Sequence, residues 1–89
     1  MAVDVNSNPI ELTAQGDAYA DKIFVTTIQC ITVAASGEFH LLDESGGRTV
    51  ARVMAINAND QAQLEVNGWL RGLYVQQLPA GGKIYVHYR

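Results

Sequence analysis

The strongest constraint on the fold is a strand–turn–strand pattern in residues 72–89. Residues 72–78 and 83–89 are rich in aliphatic and aromatic side chains, and the sequence Pro-Ala-Gly-Gly separates them at residues 79–82. Proline and paired glycine interrupt a strand and supply the backbone angles of a tight reversal. Apolar and polar residues alternate along 83–89 with the two-residue period of a strand. The pattern predicts an antiparallel hairpin at the end of the chain and places the chain in the all-β class.

Turn-forming residues recur along the rest of the chain at the spacing of roughly 8–12 residues that is typical of a β-sandwich or small barrel. They occupy residues 15–17, 36–37, 44–47, 57–60 and 67–68. Residues 48–58 also carry apolar side chains at helical spacing, but their many β-branched members favour a strand. We therefore predict an all-β fold, an antiparallel β-sandwich that is jelly-roll-like with about seven strands.

One apolar segment changes phase along its length. Ile23 and Val25 share one face of a strand, whereas Ile28 and Cys30, further along the same segment, have the opposite parity. A bulge or bend near Thr26-Thr27 would bring both pairs to the same core, as happens where one strand serves two sheets.

The Asn67-Gly68 pair is the strongest short-range hairpin signal in the chain, because both residues tolerate positive φ. We predict a reversal there, after a strand over residues 61–66. The predicted core combines the inward-facing residues of all the strands: Leu12, Ile23, Val25, Phe39, Leu41, Val53, Leu64, Val66, Leu73, Val75, Ile84 and Val86.

Residues 9–89 are predicted to form a single β-sandwich domain, preceded by a flexible N-terminal arm over residues 1–8. A chain of 89 residues supports one modest core, and its hydrophobic fraction of 48% is that of a folded protein. The single cysteine, Cys30, cannot form an internal disulfide and is predicted to be a small buried hydrophobe. Such a small core gains stability from assembly, so we expect an oligomer.

Composition argues against a polyanionic or membrane partner. The net charge is −3 and the six basic residues are scattered along the sequence, so nucleic acid is not expected as a partner. The N-terminus lacks the basic and apolar regions of a signal peptide, and residues 23–35 fall far short of a membrane span. We expect a soluble protein that is made in a cytoplasm.

We predict no enzyme activity, no catalytic residues, no metal site and no cofactor. His40 and His87 are far apart in the chain and lack the spacing of metal ligands. Asp43 and Glu44 are adjacent carboxylates, but their place before a Ser-Gly-Gly sequence favours a solvated hairpin tip over acid–base chemistry. The Gly-x-Ser-x-Gly sequence of a nucleophile elbow does not occur.

The aromatic residues of the last third are the best candidates for a binding role. Trp69, Tyr74 and Tyr85, together with Arg71, are predicted to form an interface. A tryptophan that follows a turn is typical of an interface anchor, because its indole combines a large apolar area with a polar edge. Aromatic residues near basic ones also keep a single-stranded nucleic-acid platform open as an alternative, against which the acidic balance weighs.

Residues 21–89 resemble the small β-sandwich structural proteins of tailed bacteriophages. The likeness rests on the sequence Phe-His-Leu-Leu-Asp-Glu-Ser-Gly-Gly at 39–47, on Trp-Leu-Arg-Gly-Leu-Tyr-Val at 69–75, and on Leu-Pro-Ala-Gly-Gly at 78–82. Such proteins are commonly virion components and include capsid decoration (cement) proteins, which bind the outer capsid surface and often form trimers.

The resemblance implies a homotrimeric capsid decoration protein of the virion, made in the host cytoplasm. It would bind the major capsid protein and stabilise the shell by bridging neighbouring subunits. Two alternatives stay open. One is a tail or head-fibre module that binds carbohydrate on the host surface, and the other is a single-stranded nucleic-acid-binding barrel.

Overall fold

A computed structural model describes residues 9–33 and 36–89, with only the backbone of residues 54–56 described. The predicted arm over residues 1–8 lies outside the described residues. Eight strands, one more than the seven or so expected, make up the described chain. They are β1 (Ile10–Leu12), β2 (Ala18–Tyr19), β3 (Ile23–Ile31), β4 (Gly37–Leu42), β5 (Thr49–Ile56), β6 (Gln61–Leu70), β7 (Leu73–Gln77) and β8 (Lys83–Tyr88).

The strands form two four-stranded antiparallel sheets, so the all-β prediction is confirmed. Sheet A has the order β1-β8-β3-β6, and sheet B has the order β2-β7-β4-β5. Buried side chains from both sheets belong to one cluster, with Ile28 and Val86 from sheet A beside Phe39 and Val75 from sheet B. The two sheets therefore share a single core in a sandwich-like arrangement. No helix among the described residues has the length and apolarity needed to cross a membrane.

Nine of the twelve predicted core residues are fully buried, and the other three are half-buried. The exceptions are Val53, Leu64 and Val66, which pack against the core from its margin. They lie on β5 and β6, the strands at the open edges of the two sheets. On this side of the sandwich both sheets end without a further strand over them, so these inward side chains keep part of their surface in water.

A bulge near Thr26 accounts for the change of phase in β3, as predicted. From Val25 to Thr27, β3 advances by two residues while β8 advances by one and β6 by three. The Thr26 hydroxyl donates a hydrogen bond of 3.0 Å to the backbone carbonyl oxygen of His87. The expectation that this strand serves two sheets is wrong, because both of its partners lie in sheet A. The bulge turns both halves of one strand toward the same core.

The reversal predicted at Asn67-Gly68 is also wrong. β6 continues through this pair to Leu70, and the chain reverses only at residues 71–72. Asn67 has a φ of 49°, the left-handed conformation that a two-residue hairpin also requires. Here that conformation places the extra residue of β6 opposite Thr26, so the local signal marks a bulge.

Three buried polar side chains secure the connecting segments. The Asp17 carboxylate accepts hydrogen bonds from the backbone N–H groups of Thr13 (3.0 Å) and Ala14 (3.2 Å). The Thr32 hydroxyl accepts the N–H of Asp60 at 2.9 Å. Asp43 binds a backbone N–H in the β4–β5 connection in the same way. Among the described residues, every buried side-chain nitrogen and oxygen has a hydrogen-bond partner, which removes the cost of unpaired buried groups.

We expect the thiol of Cys30 to be unreactive in the folded protein. Its residue is 1% exposed, and burial raises the pKa of the thiol from 9.0 to about 11. Alkylation at pH 8 should follow the rate of global unfolding and become fast in urea, as a mass shift would report. Fast alkylation without denaturant would contradict this placement of Cys30.

The same pKa shift predicts a pH dependence of stability. Because the folded-state pKa exceeds the unfolded one, the neutral thiol stabilises the fold below pH 9, and this contribution is lost between pH 9 and about 11. The free energy of unfolding should therefore fall less across this interval in Cys30→Ala than in the wild type. Equal slopes would show that the thiol does not titrate as described.

A further test concerns the bulge at Asn67. Asn67→Val should lower the free energy of unfolding by about 1–2 kcal/mol, because a β-branched residue strains at positive φ, while Asn67→Gly should cost little. Gln63→Val is the matched control, since Gln63 is also an exposed residue of β6 but lies at an ordinary strand position. Equal urea midpoints for Asn67→Val and Gln63→Val would show that the bulge is not where we place it.

Candidate functional site

Three connections meet at one end of the sandwich: β2–β3, β4–β5 and β6–β7. Gly72, in the last of these, shows how closely they pack. A Cβ atom on Gly72 would overlap the backbone carbonyl oxygen of Tyr19 and crowd that of Asp43. Only glycine fits there, so the backbone at Arg71, beside it, is held by its neighbours. The backbone at this end is therefore tightly packed, and it fixes the positions from which the nearby side chains extend.

Trp69 is the most exposed large apolar residue described. It is 71% exposed at the end of β6, although an indole normally gains from burial. Its ring meets the ring of Phe24, the residue paired with it across β3 and β6, edge to face at a centroid distance of 5.5 Å. The guanidinium of Arg89 lies 4.4 Å from the centre of the Phe24 ring. Trp69, Phe24 and Arg89 thus form a cluster of one edge-to-face ring contact and one cation–π contact, which fixes the indole at the surface.

Beside Trp69 and Phe24 lies a groove of about 510 Å³, which we call the basic groove. Its lining residues are Lys22, Arg48, Trp69, Leu70 and Arg71. Half of the six basic residues of the chain are therefore collected around one exposed indole. These residues are scattered along the sequence but gathered in space. The fold joins residues 22, 48 and 71 at one end of the sandwich, against a net charge of −3 for the whole chain.

Two of the three cationic side chains of the basic groove form weak ion pairs. Arg71 Nη1 lies 3.2 Å from Glu44 Oε1, and both side chains are more than half exposed. Arg48 Nε lies 3.7 Å from Asp43 Oδ2, with the arginine side chain 83% exposed. The Arg71–Glu44 pair is exposed on both sides and contributes little to stability, so an incoming anion can replace the Glu44 carboxylate at low cost. The Asp43 carboxylate is buried, so an anion can only add to the exposed part of Arg48.

Asp43 departs from the solvated hairpin tip that we expected. It is 2% exposed, and its Oδ1 accepts the backbone N–H of Arg48 at 2.8 Å, while its own N–H donates to the carbonyl oxygen of Arg48 at 3.0 Å. Glu44, by contrast, is exposed as expected. Asp43 therefore closes the β4–β5 connection and fixes the backbone from which Arg48 extends.

The predicted interface residues are not all brought together. Trp69 and Arg71 line the same groove. Tyr74 lies with Arg71 on a second depression of about 310 Å³, on the side of sheet B. Tyr85 lies on β8 opposite Gln29, five positions along β3 from the partner of Trp69, or roughly 16 Å at the usual rise per residue.

The Tyr85 hydroxyl donates a hydrogen bond of 2.8 Å to Glu11, and this bond raises the pKa of the phenol. Tyr85 is therefore tied to β1 rather than to the basic groove.

Three residues of this end were missed by sequence reasoning: Lys22, Phe24 and Arg48. Phe24 and Trp69 are 45 positions apart and meet only because their strands pair in that register. No local pattern marks that pairing. Once β3 and β6 are known to be neighbours, the exposed Trp69 points to Phe24 as its cross-strand partner.

A second groove continues from the first along the open side of the sandwich. It has a volume of about 270 Å³ and lies between the edge strands β5 and β6, and we call it the edge groove. It is lined by Asp43, Arg48, Thr49, Val50, Val66 and Leu70. Arg48 and Leu70 line both grooves, so the basic groove is continuous with the partly apolar edge groove.

The two histidines lie on different sheets. His40 Nε2 is 2.8 Å from the Thr49 hydroxyl on sheet B, whereas His87 belongs to β8 in sheet A. Within residues 9–33 and 36–89, no three side chains of histidine, cysteine, aspartate or glutamate converge as metal ligands would. The side chains gathered at the basic groove offer ion pairing and aromatic contact.

Comparisons with family models, with curated proteins and with solved structures found no match for this chain. The likeness to phage structural proteins stays a prediction from the sequence.

We expect Asp43→Ala to lower the free energy of unfolding by about 1–3 kcal/mol, because it leaves the backbone N–H of Arg48 without its acceptor. Asp43→Asn keeps an oxygen in place and should cost less. Glu44→Ala, an exposed neighbour, is the control and should change stability by less than about 0.5 kcal/mol. Urea unfolding curves measure all three, and similar losses for Asp43→Ala and Glu44→Ala would contradict the structural role of Asp43.

Proposed function

We propose that this protein is a structural component of a tailed-bacteriophage virion, a capsid decoration protein that binds the major capsid protein through the Trp69 end of the sandwich. The observation that carries the proposal is the 71% exposed indole beside three cationic side chains. An exposed tryptophan on a well-packed base is typical of an interface hot spot, where burial against a partner supplies much of the binding energy. The sequence resemblance supplies the class of partner.

We also propose that the sandwich is of the jelly-roll type. Its two sheets have the orders β1-β8-β3-β6 and β2-β7-β4-β5, so successive strands alternate between sheets in most of the chain. Eight strands in two interleaved Greek keys make up a jelly roll, an architecture that viral capsid proteins and lectins use. The strand order supports this assignment, and the assignment suits a virion component.

The arrangement of the first and last strands fits a protein that carries mechanical load. β1 pairs with β8 with Ile10 opposite Val86 and Leu12 opposite Ile84, and all four side chains are buried. β8 pairs in turn with β3. Separating these strands would break their backbone hydrogen bonds and expose core residues at the same time. The combined cost opposes fraying of the strands when a shell expands.

We propose a homotrimer as the assembled state, formed in solution or on the capsid. Closed rotational symmetry would place three copies of the Trp69 end around one axis and would bury additional surface of a small domain. Sedimentation of the protein alone and bound to particles distinguishes the two routes to a trimer.

A second candidate is a tail or head-fibre module that binds host carbohydrate. Its support is the same exposed indole, because an aromatic face next to polar side chains can stack on a sugar ring and hold it. The copy number on intact particles separates the two functions. Hundreds of copies favour decoration, whereas a few to a few dozen favour a tail or fibre.

The test of the decoration proposal is thermal release of DNA from particles with and without the protein. Particles that carry it should release DNA at a higher temperature. Trp69→Ala should weaken capsid binding by about 1–3 kcal/mol and lower the release temperature at limiting protein. Val33→Ala is the matched control, because Val33 is a large apolar residue, 46% exposed, outside both grooves.

Two results would contradict the proposal. Identical DNA release from particles with the protein demonstrably bound would reject decoration. Equal capsid affinity of Trp69→Ala and Val33→Ala would reject the Trp69 end as the contact.

A further inference from the structure

The open side of the sandwich offers backbone hydrogen-bonding groups as well as side chains. Within the described residues, β6 pairs only with β3, and β5 pairs only with β4. β6 is ten residues long, the longest strand described, and contains no proline. A long edge strand of this kind presents unpaired N–H and C=O groups to which another extended segment can add.

The floor of this open side is apolar. Val50 on β5 and Val66 and Leu70 on β6 are half-buried, pack against the core and line the edge groove. A strand that added to β6 would direct alternate side chains toward this floor. The opposite side chains would run along the outer face, where Trp69 lies.

The charge of the open side is concentrated at one end. Lys22, Arg48 and Arg71 surround the basic groove, whereas the outward positions of β6 before Trp69 are Gln61, Gln63, Glu65 and Asn67. The ammonium of Lys22 has no ion pair within the described part of the chain. This pattern matches a ligand with a short cluster of negative charges, and it does not match a polyanion that needs cations along its whole length.

We infer that the open side binds an extended peptide segment of a partner protein, one that combines apolar residues with a cluster of carboxylates. The segment adds as a strand to the free edge of β6. Its inward side chains rest on Val66 and Leu70, and its carboxylates pair with Lys22, Arg48 and Arg71. Under the proposed function, on which the identity of the partner rests, this segment belongs to the major capsid protein.

The bulge of β6 limits where the segment can pair. Asn67, with its φ of 49°, bends the strand and interrupts the ladder with β3 between Glu65 and Gly68. A bulge in an edge strand discourages continuous pairing with a long foreign strand. We therefore place the acidic cluster of the segment at Trp69–Arg71, beyond the bulge, and its apolar part at the edge groove.

Binding can be followed by the fluorescence of Trp69, because it is the only tryptophan of the chain and lines the basic groove. The probe is an end-blocked seven-residue peptide of alternating valine and glutamate, titrated into the full-length protein. We expect a blue shift of the Trp69 emission and protection of the indole from acrylamide quenching. Both effects should weaken with added salt.

Three matched controls separate the elements of the inference. The same peptide with lysine for glutamate should not bind. Two further glutamate peptides carry N-methyl groups at alternate residues, one at the odd and the other at the even positions. Only one of the two loses the N–H donors that would face β6, and that peptide should bind at least roughly tenfold more weakly than the parent peptide. Arg71→Gln and Lys22→Gln should each reduce affinity several-fold, whereas Lys83→Gln, on β8 outside both grooves, should not.

Several outcomes would overturn the inference. They are no salt-sensitive change of Trp69 emission up to millimolar glutamate peptide, an equal response to the lysine peptide, and equal binding by both N-methylated registers and the parent. A response to an oligothymidylate or to an oligogalacturonate but not to the peptide would assign the groove to nucleic acid or to acidic carbohydrate.

The peptide assay uses no capsids, so its failure leaves the DNA-release test of decoration standing. Peptide binding without capsid binding would uphold the inference and reject decoration.

Discussion

The bulge in β3 is the feature on which the rest of the sandwich depends. β3 is the central strand that joins β8 to β6 in sheet A, and the extra residue at Thr26 lets Ile23 and Val25 face the same core as Ile28 and Cys30. Without this shift one pair would point to water, since a change of one residue inverts every side chain beyond it. The matching bulge in β6 keeps the neighbouring strand in register and carries the bend to the open edge.

The size of the chain explains why one side of the sandwich stays open. With four strands in each sheet, β6 and β5 end sheets A and B on the same side, and neither crosses to close the gap. The half-buried Val50, Val66 and Leu70 are the consequence, because their inward faces have no further strand to cover them. A surface that the fold leaves partly apolar, with cations at its end, is suited to hold another chain.

Local chemistry accounts for the parts of the structure that sequence reasoning predicted well. Alternation in residues 83–89 identified β8, and the change of parity after Val25 located a bulge that the structure confirms. Reasoning failed at Asn67-Gly68, where a hairpin and a bulge require the same positive φ and differ only in what the following residues pair with. It failed at Asp43 because a carboxylate beside a turn is buried only where the turn brings a backbone N–H onto it, here that of Arg48 at the far end of the same β4–β5 connection.

The sequence by itself determined the all-β class, most of the core and the candidacy of Trp69 and Arg71, because side-chain alternation and turn chemistry act over a few residues. Only the tertiary structure decided the order of the strands, the edges that remain open and the neighbours of Trp69. Those depend on pairings across tens of residues, such as Phe24 with Trp69, and on loops that meet at one end of the molecule. The basic groove exists for this reason, since its three cations are distant in the chain and adjacent only when the sheets have formed.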